Sequence, residues 1–107
     1  MKFVQEKKKL ESLSETTTAV DRFNDENNVL LSDVYRNYSA IITELCKKEP
    51  NVFGNFRNYS VPEIKAHKRS IDKIDSIEIK KENFNLFRES LDQSIGSTIE
   101  YITDFVQ

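Results

Sequence analysis

Apolar side chains recur at steps of three and four along almost the whole chain. The first series runs Leu10, Leu13, Thr17, Val20, Asn24, Asn27, Leu31, Val34, Tyr38, Ile41, Leu45. A second runs Ile64, His67, Ile71, Ile74, Ile77 or Glu78, Lys81, Phe84, Phe87 or Arg88, Leu91, Ile95, Thr98, Ile102, Phe105. Steps of this size place side chains on one face of an α-helix. No alternation of period two persists. The stretch "SIEIKK" at 76–81 is the one place where a short strand competes. The pattern predicts an all-α single domain over residues 1–107, with one helix over about 4–48, a connector over 49–59 and a second helix over about 60–106. At about 1.5 Å per residue the second helix would be on the order of 70 Å long. Two such helices joined by a short connector are expected to lie antiparallel as a hairpin.

The connector holds the only dense cluster of special residues, "NVFGNFRNYSVPE". Pro50 disfavours helical backbone in the residue before it, so it is expected to stop the first helix. Lys47 and Lys48 suit the negative end of that helix's dipole. Gly54 can supply the positive φ of a reversal. Ser60-Val-Pro-Glu63 reads as a capping box that starts the second helix, with Pro62 in its first turn. Phe53, Phe56 and Tyr59 are expected to plug the hairpin tip or to form a partner contact there.

Folding the chain at 55–56 sets residue i opposite 111 − i. Val20 then faces Leu91, and Asn24 and Asn27 face Phe87 and Phe84. Seam asparagines fix register at a cost in stability, or point to solvent. The same rule juxtaposes Thr16–Thr18 with Gly96-Ser97-Thr98, a candidate belt of small side chains that would permit close approach of the helices.

Apolar residues also fall off the seams: Phe23, Leu30, Tyr35 and Ile42 in the first half, and Ile79, Leu86, Tyr101 and Val106 in the second. A stripe this wide suits a bundle rather than a lone pair of helices. A thin hairpin has little interior. Pairing of two hairpins into a four-helix bundle, as a homodimer or with a second helical protein, is the expected remedy. The competing arrangement is a monomeric bundle of shorter helices, broken near Thr16–Thr18, Asn24–Asn28 or Ser76. Phe23, Leu30, Ile42, Phe53, Phe56, Ile79 and Leu86 are the candidate partner-binding residues.

Composition narrows the work such a molecule can do. Of 107 residues, 16 are basic and 18 acidic, and the formal charge is −2. The halves are balanced, with nine of each sign over 1–60 and seven basic against nine acidic over 61–107. Nucleic-acid binders show a basic excess or face. The nearest approach is Lys65, Lys68, Arg69 and Lys73, interrupted by Glu63, Asp72 and Asp75, and this stretch carries the alternative reading of a nucleic-acid-binding or regulatory module. Cys46 has no partner for an internal disulfide and reads as a small buried hydrophobe. His67 stands alone in a lysine-rich turn. The sequence has no phosphate-binding glycine loop, no metal-ligand spacing and no Glu-x-x-His pair, so neither an enzyme nor a cofactor or small-molecule substrate is expected. No apolar run is long enough to span a membrane, and "MKFVQEKKK" turns charged too early for a signal peptide. A cytoplasmic protein is expected, with signal-peptide-independent secretion open.

The length, the two helices of about forty residues and the aromatic-glycine turn at Phe53-Gly54 resemble the WXG100, or ESAT-6-like, family. That family's aromatic is a tryptophan separated from the glycine by one residue, whereas Phe53 abuts Gly54. Its export signal separates a tyrosine and an acid by three residues, whereas Tyr101 and Asp104 are separated by two. The resemblance implies a small dimerising hairpin exported by type VII secretion. Taken without it, the residues describe a non-enzymatic helical adaptor that acts through helix faces.

Overall fold

A computed structural model describes residues 3–105, and Val106 falls outside them. Every regular element among the described residues is helical. The order is α1 (Val4–Ala19), α2 (Asp25–Lys48), α3 (Pro50–Asn55), a π turn (Phe56–Ser60), α4 (Val61–Asp72) and α5 (Ile77–Phe105). The segment 76–81 begins α5 and forms no strand.

The two uninterrupted helices expected of a hairpin are each divided. The molecule measures 46 × 25 × 17 Å, which leaves no room for a 70 Å rod. The 29 residues of α5 nearly account for the long axis, at about 1.5 Å each. Helices α1 and α4 pack most extensively on α5, and α1 also packs on α2. The breaks fall close to where the competing monomeric bundle would need them.

The break between α1 and α2 has a local cause. Near the end of α1, Thr16 and Thr17 turn their hydroxyls back to the carbonyls of Ser12 and Leu13, at 3.2 and 2.7 Å. Such bonds compete with the backbone ladder and weaken a helix. Asn24 then caps α2, its Oδ1 accepting from the Asn27 amide at 2.7 Å, and the Asn27 side chain donates to the Arg22 carbonyl at 2.9 Å. Asp25 and Glu26 follow in the first turn, where the helix dipole favours acids. The asparagines expected on a seam are therefore the hinge that restarts the chain. The end of α1 has no basic residue of its own. Arg88 of α5 supplies the charge, donating to the carbonyls of Thr17 and Thr18 at 3.1 and 3.4 Å.

The connector is helical where a reversal was expected. Pro50 ends α2 and also occupies the first turn of α3. Gly54 has no positive φ. Ser60 is itself helical at φ −66° and ψ −49°, and its side chain caps nothing. The capping box is absent because the helix does not begin there. Instead the Val61 amide bonds to the Phe56 carbonyl, five residues back. Pro62, next along, lacks an amide hydrogen and its ring crowds the carbonyl four residues behind it. A widened turn accommodates that obstruction without ending the helix.

The core is one cluster. Leu31, Val34, Tyr38 and Leu45 of α2, Ile64 and Ile71 of α4, and Phe84, Phe87, Leu91, Ile95 and Ile102 of α5 are all buried, as is Leu10 of α1. Phe3 and Phe53 meet edge to face at 5.7 Å. Lys48, near the end of α2, reaches the Glu6 carboxylate at 3.1 Å. Burial raises the Glu6 pKa, but backbone hydrogen bonding and Lys48 outweigh it and hold the carboxyl below its usual range.

Candidate interaction surface

The structure separates the sequence's partner-binding residues into two groups. Ile42, Phe53 and Phe56 are buried, at 1%, 0% and 7% exposure, and belong to the molecule's own core. Phe56 packs edge to face on Tyr101 at 5.1 Å, so Phe53 and Phe56 close the bundle from within, whereas Tyr59, expected to join them, is 71% exposed. Phe23 is half-buried, its ring 5.5 Å from that of Phe84. These four cannot serve as a free contact surface. Sequence reasoning overcounted the outlying apolar residues because a chain folded into five helices has more than one buried stripe.

Leu30, Ile79 and Leu86 remain exposed, each close to half. Val29, which the periodicity does not single out, and Ile77, which it set on the second seam, join them at 61% and 57%. The exposed large aliphatics among the described residues thus fall in two short segments, 29–30 of α2 and 77–86 of α5. Two ring contacts lie near those segments and join inward-facing rings rather than the exposed aliphatics. Phe23 meets Phe84, and Tyr35 meets Phe87 with centroids 6.4 Å apart. Leu30 lies in sequence between the first partners of each pair, and Leu86 between the second.

Helix α4 carries the basic stretch. Lys65, Arg69 and Lys73 repeat every fourth residue and form a ridge. Pro62, Ala66 and Ser70, also four apart, floor a shallow groove of about 380 Å³ beside it. Ion pairs elsewhere join Arg36 to Asp33 and Lys47 to Glu44, but none engages this ridge among the described residues. Glu63 approaches His67, at 3.9 Å. Arg69 stands near Tyr35: burial pushes that phenol's pKa up, and the Arg69 charge pulls against it.

A buried polar cluster was not legible in the sequence. Tyr38 Oη contacts the hydroxyls of Ser94 and of Thr98, the latter at 2.9 Å, and the Ser94 carbonyl at 3.3 Å. Thr98 also donates to that carbonyl at 2.7 Å. Burial raises the Tyr38 pKa even though both hydroxyls oppose the shift. The cluster backs a polar cleft of about 190 Å³, lined in part by Ser60, Glu63, Gln93 and Ser97. The expected belt is not formed as drawn. Thr17 meets Arg88, ten residues from Thr98, and a Cβ placed on Gly96 would touch nothing within 4 Å.

Cys46 donates to the Phe53 carbonyl at 3.3 Å, and burial pushes its thiol pKa up. Among the described residues no three His, Cys, Asp or Glu side chains are placed to hold a metal ion. No helix among them is long and apolar enough to cross a membrane. No family model matches the chain, and neither does any curated protein or solved structure.

Proposed function

We propose that the chain is a non-enzymatic helical interaction module that works through the exposed aliphatic side chains at the start of α2 and in the first half of α5. The observation that carries this reading is the confinement of the exposed aliphatics Val29, Leu30, Ile77, Ile79 and Leu86 to two short helical segments. Full burial of one such side chain is worth about 1.5–3 kcal/mol. Covering even the exposed halves of five would drive association. The partner is a second copy or another helical protein.

Two features support the non-enzymatic half of the reading. The raised thiol pKa of Cys46 keeps it protonated and a poor nucleophile. His67 stands beside Glu63 with no nucleophile in contact.

The test compares the chain with a Leu30→Glu/Leu86→Glu variant, by light scattering alone and by affinity capture from the native cell. The reading expects an association, with itself or with a captured helical protein, that the variant loses while circular dichroism stays unchanged. Binding behaviour identical in the two proteins overturns it.

A further inference from the structure

The basic ridge of α4 and an acidic ridge of α5 have the same repeat. On α5, Glu78, Glu82 and Leu86 succeed one another at four-residue intervals, and all three are exposed. Lys65 and Arg69 of α4 and Lys73, which caps its C-terminus, do the same, and all three are exposed. Four residues advance a helix by about 6 Å, so the two carboxylates can be set against two of the three cations when the rows lie side by side, with Leu86 beside the third. Within one chain the rows stay apart. No ion pair joins Lys65, Arg69 or Lys73 to Glu78 or Glu82, although α4 packs against α5 and only residues 73–76 separate them. Both rows are left for something outside the chain.

The groove beside the basic row fixes the shape of that occupant. Pro62, Ala66 and Ser70 are short, so a helix can lay a ridge of its own between them and the cations. The occupant must offer a helical row with carboxylates four apart and an apolar residue continuing it. Glu78–Glu82–Leu86 meets each requirement.

We infer that the partner is a second copy of this chain, bound by a twofold contact in which the Lys65–Arg69–Lys73 row of each copy meets the Glu78–Glu82–Leu86 row of the other. This rests on the helix-face reading above and names its partner. A twofold axis uses both rows of both copies, so each contact occurs twice and the assembly closes as a dimer. Exposed ion pairs are individually weak. Their part is to set partner and register, while Leu86 and its aliphatic neighbours supply burial.

The test is a reciprocal charge reversal read by light scattering and analytical ultracentrifugation. One variant carries Lys65→Glu, Arg69→Glu and Lys73→Glu, and the other Glu78→Lys and Glu82→Lys. All five positions are exposed, and unchanged circular dichroism confirms each fold. If the reversed basic row fails to fold, glutamine at the same three positions replaces it, with loss of dimer the expected result. The unaltered chain should dimerise at high micromolar concentration, more weakly in 1 M salt, where the screening length falls to about 3 Å. Each variant alone should associate about tenfold or more weakly. An equimolar mixture of the two should recover the dimer, because opposed rows again carry opposite charge.

A monomeric parent chain overturns the inference but leaves the helix-face reading standing with a different helical partner. Variants that dimerise as the parent does, or a mixture that stays monomeric, overturn it as well. A monomeric parent that binds single-stranded nucleic acid, and loses that binding on Lys65→Glu/Arg69→Glu/Lys73→Glu, assigns the row to phosphates instead.

Discussion

Arg88 caps a helix to which it does not belong. Its Nε donates to the Thr17 carbonyl at 3.1 Å, seventy-one residues away in sequence. The last carbonyls of a helix lack intrahelical partners, and the negative end of the dipole favours a cation. The Val20 amide covers Thr16, and Arg88 covers Thr17 and Thr18. Arg88→Met should therefore cost about 1–2 kcal/mol in urea denaturation. Arg88→Lys should restore only part of that, because a single ammonium cannot reproduce the planar fork.

The Tyr38 cluster makes stability fall at high pH. Burial raises the folded-state pKa of Tyr38 above its ordinary value of 10.0, and that of Cys46 above 9.0. A group whose folded pKa is raised contributes stability that is complete below its unfolded pKa and lost as pH rises towards the folded value. Thermal melts from neutral pH to about pH 11 should show Tm declining from about pH 9 upward. Tyr38→Phe should lower stability by about 1 kcal/mol at neutral pH through the lost hydrogen bonds, and flatten the alkaline decline.

Gly96 is helical without needing to be glycine. A Cβ there meets nothing within 4 Å. Gly96→Ala should stabilise the chain by about 1 kcal/mol, the propensity difference in a helix interior. Ser60→Ala should be neutral or slightly stabilising, because Ser60 caps no helix. A loss near 1 kcal/mol at Ser60, read from thermal melts, would instead show a working N-cap.

Ile42 and Leu30 read alike in the sequence and should behave oppositely. Ile42→Ala removes a side chain only 1% exposed and should cost about 2–5 kcal/mol. Leu30→Ala and Leu86→Ala, on side chains close to half exposed, should each cost under about 1 kcal/mol. Denaturant titrations of the three variants, at concentrations too low for association, separate the core from the surface.

Periodicity located the buried positions well. Leu31, Val34, Tyr38, Ile41 and Leu45 of the first series are buried, and so are Phe84, Leu91, Ile95 and Ile102 of the second. That signal reports which side of a helix is wet, and it passes unbroken across a hinge when the helices on either side both face the core. Thr17 and Val20 continue the first series to the end of α1, and Leu31 resumes it in α2. The hinge signals were nonetheless present. Asn24 followed by Asp25 and Glu26 is a helix start, but placing Asn24 and Asn27 on a seam hid it. The reversal was placed at Gly54 because glycine and proline mark turns, whereas Pro50 here opens a helix and Pro62 widens one. Arg88 and the Tyr38 cluster could not be read beforehand. They join residues more than fifty positions apart, and only the packing of α1 and α2 on α5 brings them together.

The partnership of α1 with α5 also sets a timetable. During synthesis α1 emerges first, but the helix that covers most of its inner face, and the arginine that closes its end, lie in the final third of the chain. At about 5–20 residues per second, several seconds separate the two on the ribosome. In that interval residues 4–19 lack one of the helices they pack on most extensively. The fold is completed from its newest helix back to its oldest.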